Sequence, residues 1–375
     1  MSPWPEKLDQ TDALIPMPVR RLEGIYRTAD PGSNLSQYIR LDRNERIGGL
    51  PSWFIDEIKH SLNSELLVSY PVQDRFHRDL ALSLEVAPER LILTPGSVAG
   101  VRAIFEAYVS PGDMVVVFDP SYAMYAVYAQ IYGAKIVRVP FDCELNPDLG
   151  FLLESIAKGP KLVLLANPNQ PTGSVLAPRT IDELVGKASE LGTLVAIDEA
   201  YYPFSGTTAL PLIEESSNLV VLRTFSKAAG LAGVRLGYVV GQDDIVLNLF
   251  KVRSPNDINV LALLCGENLL KHPEVVEDYV NEVTVGAGIL ADRVKKMGLF
   301  PRPVASNFML VKVGHVCSPK NLVERLKTHG YLVKGPFVAE SMEDYIRVTL
   351  GPSDVMESFA EALEISMREA EATAF

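Results

Sequence analysis

The strongest constraint on this chain is a series of seven short apolar runs between residues 90 and 241, separated by stretches with helical spacing. RLILT, MVVVFD, KIVRVP, KLVLLAN, TLVAID, NLVVLRT and RLGYVVG are rich in β-branched and leucine side chains. A strand apolar on both faces must be covered on both faces. The segments between several runs, such as DLGFLLESIAKG and TIDELVGKASELG, repeat apolar residues at helical intervals, so the covering layers are helices. Pro-Gly and Asn-Pro pairs punctuate the turns. The expected fold class is therefore α/β, with a mostly parallel seven-stranded sheet sandwiched by helices.

After Gln242 the pattern changes to long helical stretches, then FMLVKV, the helix NLVERLKTHG, YIRVTLG and a last helix from about Ser353. That alternation predicts a smaller α+β domain. A chain of 375 residues also exceeds one ordinary domain. The expected division is an N-terminal arm over 1–45, packing with the small domain or a partner subunit, a large domain over 46–255, and a small C-terminal domain over 256–375. The helix near 275–297 is expected to bridge the two bodies.

Composition excludes several function classes. The net charge is −12, from 47 acids and 35 bases, which opposes nucleic-acid binding because phosphate neutralisation needs a basic surface. No apolar run is long enough to cross a bilayer, and MSPWPEKLDQ lacks a signal-peptide core, so the expected location is cytoplasmic. Cys143, Cys265 and Cys317 are scattered and odd in number, and the five histidines form no ligand spacing. Neither a disulfide framework nor a metal centre is expected.

Chemistry-bearing residues cluster at the ends of the expected strands. In RTFSKAAGLAGVRLGY, Lys227 follows a strand among small residues that leave room beside its side chain. Lysine condenses with aldehydes, and Ser226 and Arg235 are suited to an anion such as phosphate. Alone, this stretch reads better as a loop lysine in a Gly/Ala-rich turn. In VAIDEAYYPF, Asp198 ends a strand 29 residues before Lys227, where open α/β sheets bind ligands. A strand-end Asp also commonly caps the next turn. LTPGSVAG runs from strand to helix through Gly96 and Ser97, where free amides can bind phosphate. Tyr122 in DPSYAMY is able to stack on a planar ring, and ANPNQPTG forms a tight strand-to-helix turn.

Each motif is weak by itself; their order is specific. PSYAMY, NPNQPTG, DEAY and RTFSKAAGLAGVRLGY in succession, with LDRNE before them and YIRVTLG after, resemble the fold-type I aminotransferases that use pyridoxal 5′-phosphate (PLP). Within these, the chain is similar to the histidinol-phosphate aminotransferase group. The resemblance implies that Lys227 carries PLP as a Schiff base and moves the substrate proton. It implies Asp198 on the pyridine nitrogen, Tyr201 at the ring oxygen and Tyr122 stacked on the ring. Ser226, Arg235 and the Gly96-Ser97-Val98 turn would hold the phosphate. Tyr70 would reach the phosphate of the neighbouring subunit, making a homodimer with shared sites. Arg347 would bind the anionic group of the substrate. Lys334 is a candidate point-charge anion contact, and the unusual Arg43 of LDRNE reads as a further anion contact or as a surface salt bridge.

Four positions depart from the group. Gln170 stands where an asparagine precedes PTG and is expected as a cofactor contact, its longer amide reaching the ring oxygen or shifting the cofactor tilt. Val98-Ala99 replace an acidic pair, Val19 follows Met17-Pro18 in place of a tyrosine, and Lys334 replaces an arginine. The function expected from the resemblance is transfer of an amino group, from glutamate, to an anionic keto or aldehyde acceptor in amino-acid biosynthesis. Decarboxylation of a phosphorylated amino acid on the same scaffold is the alternative. A non-catalytic regulator on this fold is the third reading, opposed by the intact Lys, Asp, Tyr and Arg set.

Overall fold

The computed structural model describes Leu22 and residues 35–372. The departure at Val19, like most of the expected N-terminal arm, lies outside the described residues. All seven expected runs form strands: β2 (Leu91–Thr94), β3 (Met114–Phe118), β4 (Lys135–Val139), β5 (Leu162–Ala166), β6 (Leu194–Asp198), β7 (Leu219–Thr224) and β8 (Gly237–Gly241). β1 (Ile39–Leu41) precedes them in the chain. The sheet order is β2-β8-β7-β6-β5-β3-β4. β8 runs antiparallel to both neighbours and the other pairings are parallel.

The two-residue period of a strand divides its side chains between two cores. Val116, Val163, Leu165, Val195, Ile197 and Val221 face one, with Ile181, Leu184 and Val185 of the helix Pro178–Ser189 packed over them. Val115, Val117, Leu162, Leu164, Ala196, Val220 and Leu222 face the other, covered by Val101, Ile104 and Phe105 of the helix Ser97–Tyr108. Continuous apolar runs are what such double coverage demands.

A separate core lies under β9 (Phe300–Pro301), β10 (Phe308–Lys312), β11 (Tyr331–Val333) and β12 (Tyr345–Thr349). β12, β10 and β9 form an antiparallel sheet, while β11 pairs in parallel with β1. The helices Glu274–Lys296, Pro319–Thr328 and Ser353–Ala372 cover this core. Leu41 belongs to the same cluster, so the segment 39–41 is tied to the C-terminal core by pairing and by burial. The helix Glu274–Lys296 places Val275 against Phe54 and Ile58, and Tyr279 to Val294 in the C-terminal core. No helix among the described residues is long and apolar enough to cross a membrane.

Candidate active site

The carboxyl ends of β2, β3, β5, β6 and β7 open on one edge of the large sheet, because β2 and β7 both run antiparallel to the intervening β8. Five of the motifs singled out in the sequence therefore arrive at that edge.

The turn after β2 is shaped for an anion. Gly96 has φ +79°, and a Cβ there would lie 2.6 Å from Nη2 of Arg235. Only glycine fits this close approach. Gly96 caps the helix Ser97–Tyr108 without a side-chain hydrogen bond, which leaves first-turn amides for a ligand. Gly237 is equally crowded, since a Cβ there would lie 2.7 Å from the amide of Ser97. Arg235 Nη1 donates to Ser226 Oγ at 3.3 Å, and Thr224 Oγ1 donates to the same oxygen at 3.0 Å. Ser97, Ser226 and Arg235 thus lie together around Gly96 and Gly237.

Asp198 ends β6 and is 5 % exposed. Tyr125 Oη donates to its Oδ2 at 2.8 Å, and the amide of Ala200 to its Oδ1 at 3.1 Å. Burial pushes its carboxyl up to about 6, against the two hydrogen bonds. Among the described residues no ion pair to Asp198 forms, so this pocket suits a cation such as a protonated ring nitrogen. Tyr125 was missed as a site residue, although it sits one helical turn beyond Tyr122. The two rings meet edge to face at 5.6 Å.

Lys227 is half-buried, with Nζ 5.6 Å from the centre of the Tyr201 ring and donating to the carbonyl of Arg43 at 3.2 Å. Tyr201 is buried against Phe308, with ring centres 5.4 Å apart, and its hydroxyl accepts from Asn44 Nδ2 at 2.9 Å. Burial pushes the Tyr201 phenol above its ordinary range.

Arg347, in the middle of β12, is 5 % exposed. Its Nη2 donates to the carbonyl of Asp42 at 2.8 Å, its guanidinium lies 5.3 Å from the Phe308 ring centre, and its Nε has no partner among the described residues. Burial lowers the Arg347 guanidinium from its ordinary range. A buried N–H without a partner is costly, so an acceptor brought to Arg347 Nε would be bound favourably. Lys334 pairs with Arg347 through reciprocal backbone hydrogen bonds of 3.0 and 2.8 Å. Arg43 sends its carbonyl to Lys227 and holds its Nε 3.7 Å from the Asp42 carboxylate.

Two residues stand apart. Gln170 is half-buried and its side chain makes no hydrogen bond to any described residue. Its neighbour Asn169 instead fixes the turn, donating to Pro120 O and Thr172 Oγ1 and accepting from Ser121 Oγ. Tyr70 is 81 % exposed, in a segment where Val68 and Val72 are also exposed. A cavity of about 530 Å³ opens between Tyr122, Gln130 and Arg138, and neither Lys227 nor Asp198 lines it. Tyr122 and Tyr125 do line it, so the cavity adjoins the strand-end residues.

Beneath the site a buried ion pair ties β6 to β7. Arg223 Nε and Nη2 each lie 3.0 Å from Glu199 Oε2, and these side chains are 9 % and 0 % exposed. Glu199 also accepts from Thr208 Oγ1 and the Ala209 amide, which fastens the loop bearing Tyr201. Removing one charge leaves the other buried without its partner. Glu199→Gln is expected to lower unfolding stability by about 3–5 kcal/mol. Urea titration of both proteins tests this, and a loss below about 1 kcal/mol would show that the pair is dispensable.

A half-buried lysine, a buried carboxylate and a glycine turn beside an arginine on one α/β edge are the arrangement expected of a PLP-dependent enzyme. Comparison with known proteins narrows this. The sequence matches Aminotransferase class I and II over residues 36–363, and the chain belongs to that family. It is 33 % identical over 320 residues to histidinol-phosphate aminotransferase 1 of Carboxydothermus hydrogenoformans, covering 84 % of this chain and 89 % of that one. The enzyme of the same name from Sulfurisphaera tokodaii is 31 % identical over 335 residues, covering 88 % and 91 %. The crystal structure of histidinol-phosphate aminotransferase from Sinorhizobium meliloti, in complex with PLP, superposes with a TM-score of 0.85 at 25 % identity, covering 95 % and 98 %. This protein is therefore a PLP-dependent aminotransferase of fold type I, similar to the histidinol-phosphate aminotransferases.

Proposed function

We propose that this enzyme takes an amino group from glutamate and passes it to an anionic keto or aldehyde acceptor. The acceptor class includes imidazole acetol phosphate, consistent with the names of the relatives. The observation that carries this reading is the buried Arg347, which lies beside Tyr201, Phe308 and the carbonyl of Asp42 and whose Nε has no partner among the described residues. An anionic substrate supplies the missing acceptor.

PLP, when bound, supplies an electron sink for the carbanion at the substrate α-carbon. The residues do the rest. Lys227 would hold the cofactor covalently and then move the proton at the α-carbon. Asp198, joined to Tyr125, would keep the ring nitrogen protonated. The Gly96-Ser97-Val98 turn, Ser226 and Arg235 would hold the phosphate, and Tyr122 would pack on the ring. Arg347 would orient the substrate by its anionic end, with Lys334 and Arg43 as further cations near the site.

A homodimer with shared sites belongs to the same proposal. Leu67, Val68, Tyr70 and Val72 are 63 %, 82 %, 81 % and 77 % exposed, a contiguous apolar stretch suited to burial against a second copy. Tyr70 would then reach the phosphate of the neighbouring site.

The test is a half-reaction screen. Mixing the PLP form with glutamate, histidinol phosphate and other amino donors should convert the visible band to the pyridoxamine form without release of carbon dioxide. Carbon dioxide release from a phosphorylated amino acid would replace this reading with decarboxylation. Arg347→Ala should raise KM for an anionic substrate by about 10- to 10²-fold, the weight of one charge-assisted contact, and leave PLP affinity unchanged. An unchanged KM would remove Arg347 from the substrate site.

A further inference from the structure

Asn44 occupies the loop after β1, is 1 % exposed and has φ +55°. A left-handed backbone suits Asn better than most residues, because its short amide can bond locally. Three elements hold it. Its amide N–H donates to Thr349 Oγ1 of β12 at 2.9 Å, and its carbonyl accepts from Asn307 Nδ2, just before β10, at 2.9 Å. Its side-chain Nδ2 donates to Tyr201 Oη at 2.9 Å.

The amide orientation is set by its surroundings. The Thr349 hydroxyl donates to Asn44 Oδ1 at 3.4 Å, so the oxygen end faces Thr349 and the NH2 end faces the phenol. Tyr201 Oη is thus an acceptor toward Asn44. Among the described residues its own proton is donated to none, although the residue is only 5 % exposed. A buried hydroxyl that accepts on one side and has no acceptor on the other points its proton at a ligand. Accepting one hydrogen bond also strengthens the one it gives.

We propose that Asn44 is a positioning residue: its amide commits the Tyr201 proton to the ring oxygen of the cofactor. This rests on the PLP reading of the site and extends it. The charged groups around Tyr201 are Asp198 from β6, Lys227 from the loop after β7 and Arg347 from β12. Tyr125 and the Phe308 ring are its neutral neighbours.

The experiment follows the visible band of the PLP-loaded enzyme as a function of pH. A committed donor stabilises negative charge on the ring oxygen, which then competes less for the proton on the nitrogen that joins Lys227 to the cofactor. Asn44→Asp cannot donate and instead takes the phenol's proton. The titration midpoint should rise by about one pH unit, the weight of a single hydrogen bond. Asn44→Gly keeps the left-handed backbone without strain and should move the midpoint in the same direction. Tyr201→Phe should also raise it.

The decisive comparison is Asn44→Asp combined with Tyr201→Phe. If Asn44 acts through the hydroxyl, the double variant titrates as Tyr201→Phe alone. Full additivity would mean that the new charge acts through space and overturns the proposal. So would an Asn44→Asp or Asn44→Gly enzyme that binds PLP and titrates as the parent does. A parent enzyme with no visible band on PLP addition would instead sink the cofactor reading, and this proposal with it.

Discussion

Lys227→Ala should abolish transamination, lowering kcat/KM by at least about 10⁴-fold. A positioned acid–base contributes about 10²- to 10⁴-fold by itself, and the covalent attachment is lost as well. The parent should bind PLP with a visible band that borohydride fixes, and peptide mass mapping should place the adduct on Lys227. The variant should bind PLP without any adduct. Folding should survive, because Lys227 is only half-buried in the loop after β7. Activity within tenfold of the parent, or an adduct on another lysine, would falsify the assignment.

Asp198→Asn should separate activity from stability. Burial raises the Asp198 carboxyl from 3.8 to about 6, so the folded, cofactor-free protein binds this proton more tightly than the unfolded chain. Stability from that source is complete below pH 4 and is lost as pH rises through 6. Over this window it amounts to about 3 kcal/mol. The cofactor-free Asn variant lacks that loss and should be at least as stable as the parent at pH 7.5. Its activity should nevertheless fall by about 10²- to 10⁴-fold. A buried cation without its carboxylate loses about 3–5 kcal/mol, and the ring nitrogen then no longer stays protonated. Denaturant melts of the cofactor-free proteins, paired with steady-state rates, check both halves. A variant as active as the parent would mean that Asp198 serves only the β6 turn.

Lys227 and Asp198 could be singled out from the order of their motifs, each set at the end of a local apolar pattern. Lys227 stands in a small-residue turn directly after an apolar run, and Asp198 closes another run. The strands were legible for the same reason: a strand buried on both faces has to be apolar throughout, as LVAID and LVLLA are. Tyr125 lay within a quoted motif, yet its bond to Asp198 spans 73 residues and no periodicity announces it. Asn169, in NPNQPTG, makes the hydrogen bonds that fix the turn before Pro171, and its bond to Pro120 spans 49 residues.

Asn44 was hidden more deeply. In LDRNE it looks like one polar residue among several, and Arg43 was the member that drew attention. Only the folded chain shows that Arg43 sends its carbonyl to Lys227 while Asn44 turns inward to Tyr201. Nor does the sequence show that Glu199 and Arg223 share a buried bond beneath the same loop.

The sequence by itself determined the α/β class, the seven strands and the order in which a glycine turn, a tyrosine, a carboxylate and a lysine reach successive strand ends. Those follow from local rules, the two-residue period of strands and the helical repeat between them. Tertiary structure decided which side chains meet. Arg347 reaches Asp42 across 305 residues, Lys227 reaches Arg43 across 184, and Asn44 reaches Tyr201 across 157. Such contacts depend on how the C-terminal core, which includes Leu41, packs beside the large sheet. No local repeat encodes that packing, so these partners could be read only from the folded chain.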